Sequence, residues 1–290
     1  MSTGTRFGRQ LLAAVILGGA AAAAQAAIVP LWAWHNEAGF ISYTETVAGT
    51  VAATNPNSTG PTRLTWPVEN PAFQSNLHLV GNAPGFGISD SAFSAFAVTN
   101  GGPTFGVDIV HDNFPLLDAP GGDLTGAVLR DQLWLSPAPG PAFPPNVGDP
   151  VIPPLIFDIH FYETPNMTGT GGICADGTTE GDVTQENGAG CGDLFGVQNA
   201  AAFVQQFVYA GQTYQITILA AGLGFQTPQF CAAVGLAAGC VGFKTAENQT
   251  NEGNPFFLIT TVDVPEPGIL ALLGAGLAGL GFSRRTNRKA

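Results

Sequence analysis

The sequence predicts an all-β protein: an antiparallel β-sandwich, jelly-roll-like, between an N-terminal signal helix and a C-terminal transmembrane helix. Three observations predict it. Apolar residues alternate with polar ones, so that Leu155 to Tyr162 puts Phe157, Ile159 and Phe161 on one face and Asp158, His160 and Tyr162 on the other. The 39 Gly and 22 Pro cut the chain into short segments, and no long stretch carries a helical period. Both ends carry an apolar run beside basic residues, a pattern of targeting segments rather than of a folded core.

The elements follow in order. Strands are expected at Ile41 to Val47, Arg63 to Trp66, Leu77 to Val80, Phe105 to Val110, Ala127 to Leu135, Leu155 to Tyr162, Thr213 to Leu219 and Phe256 to Val262. In Thr213 to Leu219, Tyr214, Ile216 and Ile218 stand opposite Gln215 and Thr217. A short helix is expected over Asn199 to Val208. The Pro-rich stretch Ser136 to Pro154 reads as an extended surface loop, because proline cannot donate to a central ladder. Gly169 to Asp193 reads as a second loop, rich in Gly and acidic residues.

The ends set the boundaries. Arg6 and Arg9 precede an apolar stretch from Leu11 to Ala24, and Ala24-Gln25-Ala26 offers small residues for cleavage; residues 1–26 read as a signal peptide and 27–263 as the ectodomain. In the tail, 264–290, Pro265 and Pro267 hold the backbone extended around Glu266. An apolar segment to Phe282 follows, then Arg284, Arg285, Arg288 and Lys289. A helix from Gly268 to Phe282 spans 15 residues, about 22 Å, against a hydrocarbon core of about 30 Å. That shortness suits a transient foothold in the inner membrane, its basic end cytoplasmic. Val264-Pro265-Glu266-Pro267-Gly268 with the segments after it resembles the PEP-CTERM tail, the sorting signal recognised by exosortases, which are membrane-embedded transpeptidases. The resemblance implies exosortase as processing partner, acting at Pro265, Glu266 and Pro267.

Between the ends the chain is strongly acidic. Only Arg63, Arg130 and Lys244 face 20 acidic residues, a net of −17. That field disfavours nucleic acid and leaves cations or neutral glycans as partners. Four cysteines in an exported chain predict disulfides, with three pairings open in principle. The local pairs Cys174–Cys191 and Cys231–Cys240 are favoured because each closes a loop, the first for about 3 kcal/mol.

Signs of site chemistry are sparse. No Gly-x-Ser-x-Gly elbow, Cys-x-x-Cys pair or His-Glu-x-x-His spacing occurs, so no catalytic residue, metal ligand or cofactor is assigned. Calcium is a more reasonable ion than zinc, at Asp176, Glu180, Asp182 and Glu186, although the twelve-residue loop pattern is missing; solvated loop charges are the simpler reading of these acids. Trp32, Trp34, Trp66 and Trp134 are expected to pack in the core or at its edge; sugar stacking on their aromatic faces is the alternative, with Trp32 and Trp34 the candidates for exposure.

Val110-His111-Asp112-Asn113-Phe114-Pro115-Leu116 resembles the motif that names the THxN family of PEP-CTERM proteins, with His111 and Asn113 at the named positions and Val110 where Thr is expected. Arg63-Leu64-Thr65-Trp66, Gln74-Ser75-Asn76-Leu77, Phe161-Tyr162-Glu163-Thr164-Pro165-Asn166 and Lys244-Thr245-Ala246-Glu247 are similar to that family's other segments, in the same order. The resemblance implies location and fold, not mechanism. Read physically, Asp112 and Asn113 before Pro115 fit an Asx-turn, and Glu163 to Asn166 a strand end whose side chains serve loop amides.

The expectation is an exported, exosortase-sorted surface or secreted protein, membrane-anchored as a precursor. It is a non-enzymatic structural or interaction module of the extracellular polysaccharide matrix, the setting of biofilm. A lectin-like module binding neutral exopolysaccharide with the help of calcium is the alternative, and a polysaccharide-acting enzyme the third reading.

Overall fold

The computed structural model describes residues 27–56, 60–67, 74–81, 96–114, 123–140, 145–164, 172–179, 191–198, 203–220, 223–253 and 255–262. All belong to one unit, Ala27–Asp263. The expected signal and tail helices lie outside the described residues, among which no helix is long and apolar enough to cross a membrane.

The fold is all-β, and every pairing between its strands is antiparallel. Along the chain come β1 (Leu31–Glu45), β2 (Ala52–Pro56), β3 (Pro61–Trp66), β4 (Ser75–Val80), β5 (Ala97–Val98), β6 (Thr104–Phe105), β7 (Asp108–Asn113) and β8 (Leu124–Pro137). There follow β9 (Leu155–Tyr162), β10 (Asp193–Val197), β11 (Val204–Tyr209), β12 (Gln212–Ala220), β13 (Gly224–Phe225), the helix α1 (Pro228–Ala233), β14 (Val241–Thr245), β15 (Gln249–Glu252) and β16 (Pro255–Thr261). They form a seven-stranded sheet in the order β13-β14-β10-β9-β8-β1-β5, a four-stranded sheet β11-β12-β16-β6 and a five-stranded sheet β15-β7-β4-β3-β2.

Side-chain alternation explains how these sheets meet. Trp32, Trp34, Ala38 and Phe40 share one face of β1, and Ala127, Leu129, Leu133 and Leu135 share one face of β8. Trp32, Trp34, Leu133 and Leu135 pack with Phe207, Tyr214, Ile216, Phe257 and Ile259 of the four-stranded sheet. Ala38, Phe40, Ala127 and Leu129 pack with Leu64, Trp66, Leu77 and Leu79 of the five-stranded sheet. One face of the long paired strands β1 and β8 therefore carries both cores.

On the opposite face of the seven-stranded sheet lies α1. Thr227 caps it by accepting from Phe230 N at 3.1 Å, and Pro228 opens its first turn. Phe230, Cys231 and Val234 pack with Leu194, and the Cys231–Cys240 disulfide ties the helix to the start of β14. Gly196 and Gly242 sit opposite each other in the β10–β14 ladder and form the helix seat. A Cβ on Gly196 would stand 2.8 Å from Val234, and one on Gly242 2.3 Å from the Phe195 carbonyl and 2.8 Å from the Phe230 ring.

Two sequence expectations are corrected. Val204 to Val208 is strand, not helix: Ala210 and Gly211, with φ of 48° and 83°, make a two-residue turn that folds β11 onto β12. Asn199 to Ala202 lie outside the described residues. Trp32 and Trp34, the candidates for exposure, are 0% and 5% exposed, because their face of β1 packs on the four-stranded sheet.

Replacing Gly242 by Ala is expected to destabilise the chain by about 2–3 kcal/mol, since the added methyl meets backbone and an aromatic ring that cannot both move. Chemical denaturation of G242A checks this; an unchanged midpoint would contradict the seat.

Candidate functional site: a buried carboxylate cluster

The residues with the strongest local chemistry gather where four segments end together. β9 delivers Glu163 and Thr164 just past its last residue, and β10 begins at Asp193, whose neighbour Leu194 pairs with Tyr162. Thr245 closes β14 opposite Asp193, and Glu247 follows in the turn to β15. β15 pairs with β7 so that Gln249 faces Asn113 and Asn251 faces His111. Trp66 closes β3.

Ligand atoms of Glu163, Asp193 and Glu247 all lie within 4.8 Å of one another. Two full charges at that distance repel by about 3 kcal/mol or more even at an effective dielectric of about 20. No Lys or Arg among the described residues makes an ion pair with any of the three. Lys244, one strand position away from Thr245, is engaged by Asp176 and donates to Thr178 Oγ1 at 3.1 Å. Burial pushes all three carboxyls upward, and mutual repulsion adds to it for Glu163 and Glu247: Glu163 well above its ordinary range, Asp193 to about 7 and Glu247 to about 9.

Glu163 and Asp193 are oriented by fixed donors. Trp66 Nε1 donates to Glu163 Oε2 at 3.1 Å, and the Thr164 backbone N donates to Asp193 Oδ1 at 2.8 Å, with Thr164 Oγ1 3.1 Å from the same oxygen. The Thr164 hydroxyl also lies 2.6 Å from the Cys191 carbonyl, which joins the cluster to the Cys174–Cys191 disulfide. Glu247 is placed by its turn. Asn248 takes φ 57°, and the Asn251 amide bridges Ala246 by accepting from its N and donating to its O, both at 2.9 Å. After these contacts Glu163 Oε1, Asp193 Oδ2 and both Glu247 oxygens remain buried without a hydrogen-bond partner.

Asn113 and His111 share the inward face of β7, at 0% and 1% exposure. The Asn113 amide lies by Glu247 and eases its charge, yet neither Oδ1 nor Nδ2 reaches hydrogen-bond geometry. His111 stacks on Trp66 at 5.6 Å and meets Phe161 and Phe195 edge-on, with Nδ1 2.9 Å from Thr245 Oγ1. Burial holds its imidazole neutral, with the pKa pushed down to about 3. The Asx-turn expected at Asp112 and Asn113 is not formed. Both are in β7, and Asp112 Oδ1 accepts instead from Thr250 Oγ1 at 2.7 Å across the sheet.

The structure thus brings together Trp66, His111, Asn113, Glu163, Thr164, Thr245 and Glu247, which lie far apart in sequence. It adds Asp193, which in the sequence stands at the end of an acidic loop. Only its place two residues after Cys191 hinted that it would be anchored. None of Trp32, Trp34 and Trp66 offers an exposed face for sugar stacking; all three are core. In the loop considered for calcium, Asp176 is held below the usual carboxylate range, Lys244 and Thr178 outweighing its burial, while Glu180, Asp182 and Glu186 lie outside the described residues.

A second buried acid offers a contrast. In a cavity lined by Asn36, Asp131, Leu133, Ile152, Ile216 and Phe257, Asn36 donates to Asp131 and to the Gln132 carbonyl and accepts from Val107 N. Burial lifts the Asp131 carboxyl to about 6, but its environment is satisfied. That cavity is core packing between β1, β8 and the four-stranded sheet.

The raised carboxyls fix a pH dependence. In chelator the folded chain keeps a proton on Glu247 up to about 9 where the unfolded chain releases it near 4.5, so stability falls as pH rises through that window. Melting curves of the native chain and Glu247→Gln across that range should show a shallower fall in the variant; equal slopes would contradict the raised carboxyl.

Residues 263–285 match the family model described as the PEP-CTERM protein-sorting motif. No curated protein matches the chain. The matched segment lies outside the described residues and includes Pro265, Glu266 and Pro267. The motif supports an exosortase substrate, exported by way of a membrane-anchored precursor.

Proposed function

We propose that this chain is a THxN-type sorted protein whose antiparallel body, a β-sandwich of jelly-roll kind, serves as a structural or interaction module in the extracellular polysaccharide matrix. The sorting motif at 263–285 supports delivery. Assignment to the THxN group rests on one observation. The residues that carry the resemblance (Trp66, His111, Asn113, Glu163, Thr164, Thr245 and Glu247) come from separate strands and meet around one buried cluster. Segments matched by accident would have no reason to converge. The sandwich reading rests on the two cores that one face of the seven-stranded sheet makes with the other two sheets.

Burial supports a non-catalytic body. Asp193 is 0% and Glu247 3% exposed, so a polysaccharide chain has no route to the acids best suited to general acid–base work. The lectin-like alternative loses its main support, since three of the four tryptophans are core. Two disulfides and a strongly acidic body suit a chain that folds and persists outside the cytoplasm.

Mass spectrometry of the protein recovered from producing cells tests the delivery step. The mature C-terminus is expected upstream of Ile269, and replacing Pro265, Glu266 and Pro267 by Ala should leave the chain in the membrane fraction. A mature product that retains Arg284 to Ala290 would overturn exosortase processing.

A further inference from the structure

We propose that Glu163, Asp193, Glu247 and the amide oxygen of Asn113 form a binding site for one calcium ion, completed when the exported chain folds. The inference stands apart from how the tail is cut.

Geometry carries it first. Oxygens around calcium lie about 2.3–2.6 Å from the ion, so two on opposite sides are separated by up to about 5 Å. The three carboxylates offer ligand atoms all within 4.8 Å of one another, the spacing of one shared coordination sphere. The division of labour among the oxygens is the second observation. Glu163 and Asp193 each give one oxygen to a fixed donor, Trp66 or Thr164, and leave Glu163 Oε1 and Asp193 Oδ2 unpartnered. Glu247 leaves both oxygens open, as a bidentate ligand does. Donors that hold one carboxylate oxygen while the other meets the ion are the usual second layer of a metal site.

Asn113 is the independent pointer. It is fully buried beside Glu247, and both amide atoms lack partners. An asparagine packed for structure alone would satisfy at least one of them, because an orphaned buried amide is costly. Its Oδ1 adds a fifth oxygen to the four from the acids. Five hard oxygens from four segments, with no thiolate among them, select calcium or magnesium over zinc. An irregular set that includes a bidentate carboxylate fits calcium, which tolerates six to eight ligands, better than magnesium with its octahedral demand. His111 stays a neutral wall of the site, held by Thr245 and Trp66.

The ligands come from β7, the ends of β9 and β10 and the turn before β15, so no part of the chain offers the site before these segments assemble. Calcium binding is thereby coupled to folding, and the ion is plentiful where an exported chain folds.

The experiment uses the full-length chain purified in detergent and stripped with EDTA, with calcium chloride and terbium chloride as probes. Calcium at about 1 mM, the range of extracellular modules, should raise the melting temperature by several degrees. Terbium should show saturable luminescence excited through Trp66, one ion per chain and displaced by calcium. Glu247→Gln should abolish both responses while melting in EDTA at or above the native temperature, because it removes a carboxyl that the ion-free fold must keep protonated. Asn113→Ala removes an uncharged ligand and should weaken binding by at least about tenfold, so it serves if Glu247→Gln fails to fold. Asp158→Asn, at an exposed acid, should change nothing. A native melting temperature indifferent to calcium would assign the cluster to shared protons and overturn the proposal. Terbium luminescence retained at full strength in Glu247→Gln and Asn113→Ala would overturn it equally, as binding to surface acids only.

Discussion

Three carboxyl groups confined to one buried space, with no Lys or Arg among the described residues in an ion pair with them, are the constraint around which this molecule is arranged. Like charges at this separation cannot coexist uncompensated in a protein interior. Either protons or an ion must occupy the space between Glu163, Asp193 and Glu247. The surroundings bear on the choice. Trp66 and Thr164 each pin one oxygen of a neighbouring acid and turn the other inward, and Asn113 brings an amide with both polar atoms unpartnered. Arranging donors in this way orients ligands for an ion more readily than it passes protons around.

Much of the local architecture serves to hold those groups in place. The Cys174–Cys191 disulfide fixes the approach to β10, and the Cys191 carbonyl takes the Thr164 hydroxyl, so the covalent link bears on Asp193 through one residue. Asn251 locks the turn that carries Glu247. Behind the cluster, His111, Trp66, Phe161 and Phe195 form an aromatic wall in ring contact. The wall excludes water and so raises the stakes of every charge in front of it. On the far side of β10, the paired glycines Gly196 and Gly242 let α1 press directly on the sheet.

How much of this the sequence discloses depends on the element. Leu155 to Tyr162 alternates cleanly and is β9 to the residue, because one face meets the core and the other does not. β1 hides its start, since burial from Trp34 to Phe40 takes in His35, Asn36 and Glu37 and erases the alternation that marks a half-buried strand. β11 reads as helix until the Ala210-Gly211 turn pairs it with β12, a contact no local propensity encodes. Of the site, His111, Asn113, Glu163 and Glu247 stand in recognisable segments, but what they do depends on strands that meet only in three dimensions. Asp193 lacks even that signal, and its acidity is indistinguishable in sequence from that of the loop before it.

Sorting and site belong to different parts of the chain and to different moments. The tail motif at 263–285 addresses the precursor to the membrane, whereas the carboxylate cluster forms only as β7, β9, β10 and β15 assemble. An ion that bridges those segments would lock the body after export and leave the cytoplasmic precursor loose. Elemental analysis of the full-length chain, recovered from calcium-replete cells without chelator, tests this most directly. The account predicts one calcium per chain, released by EDTA; a folded chain that carries none would contradict it.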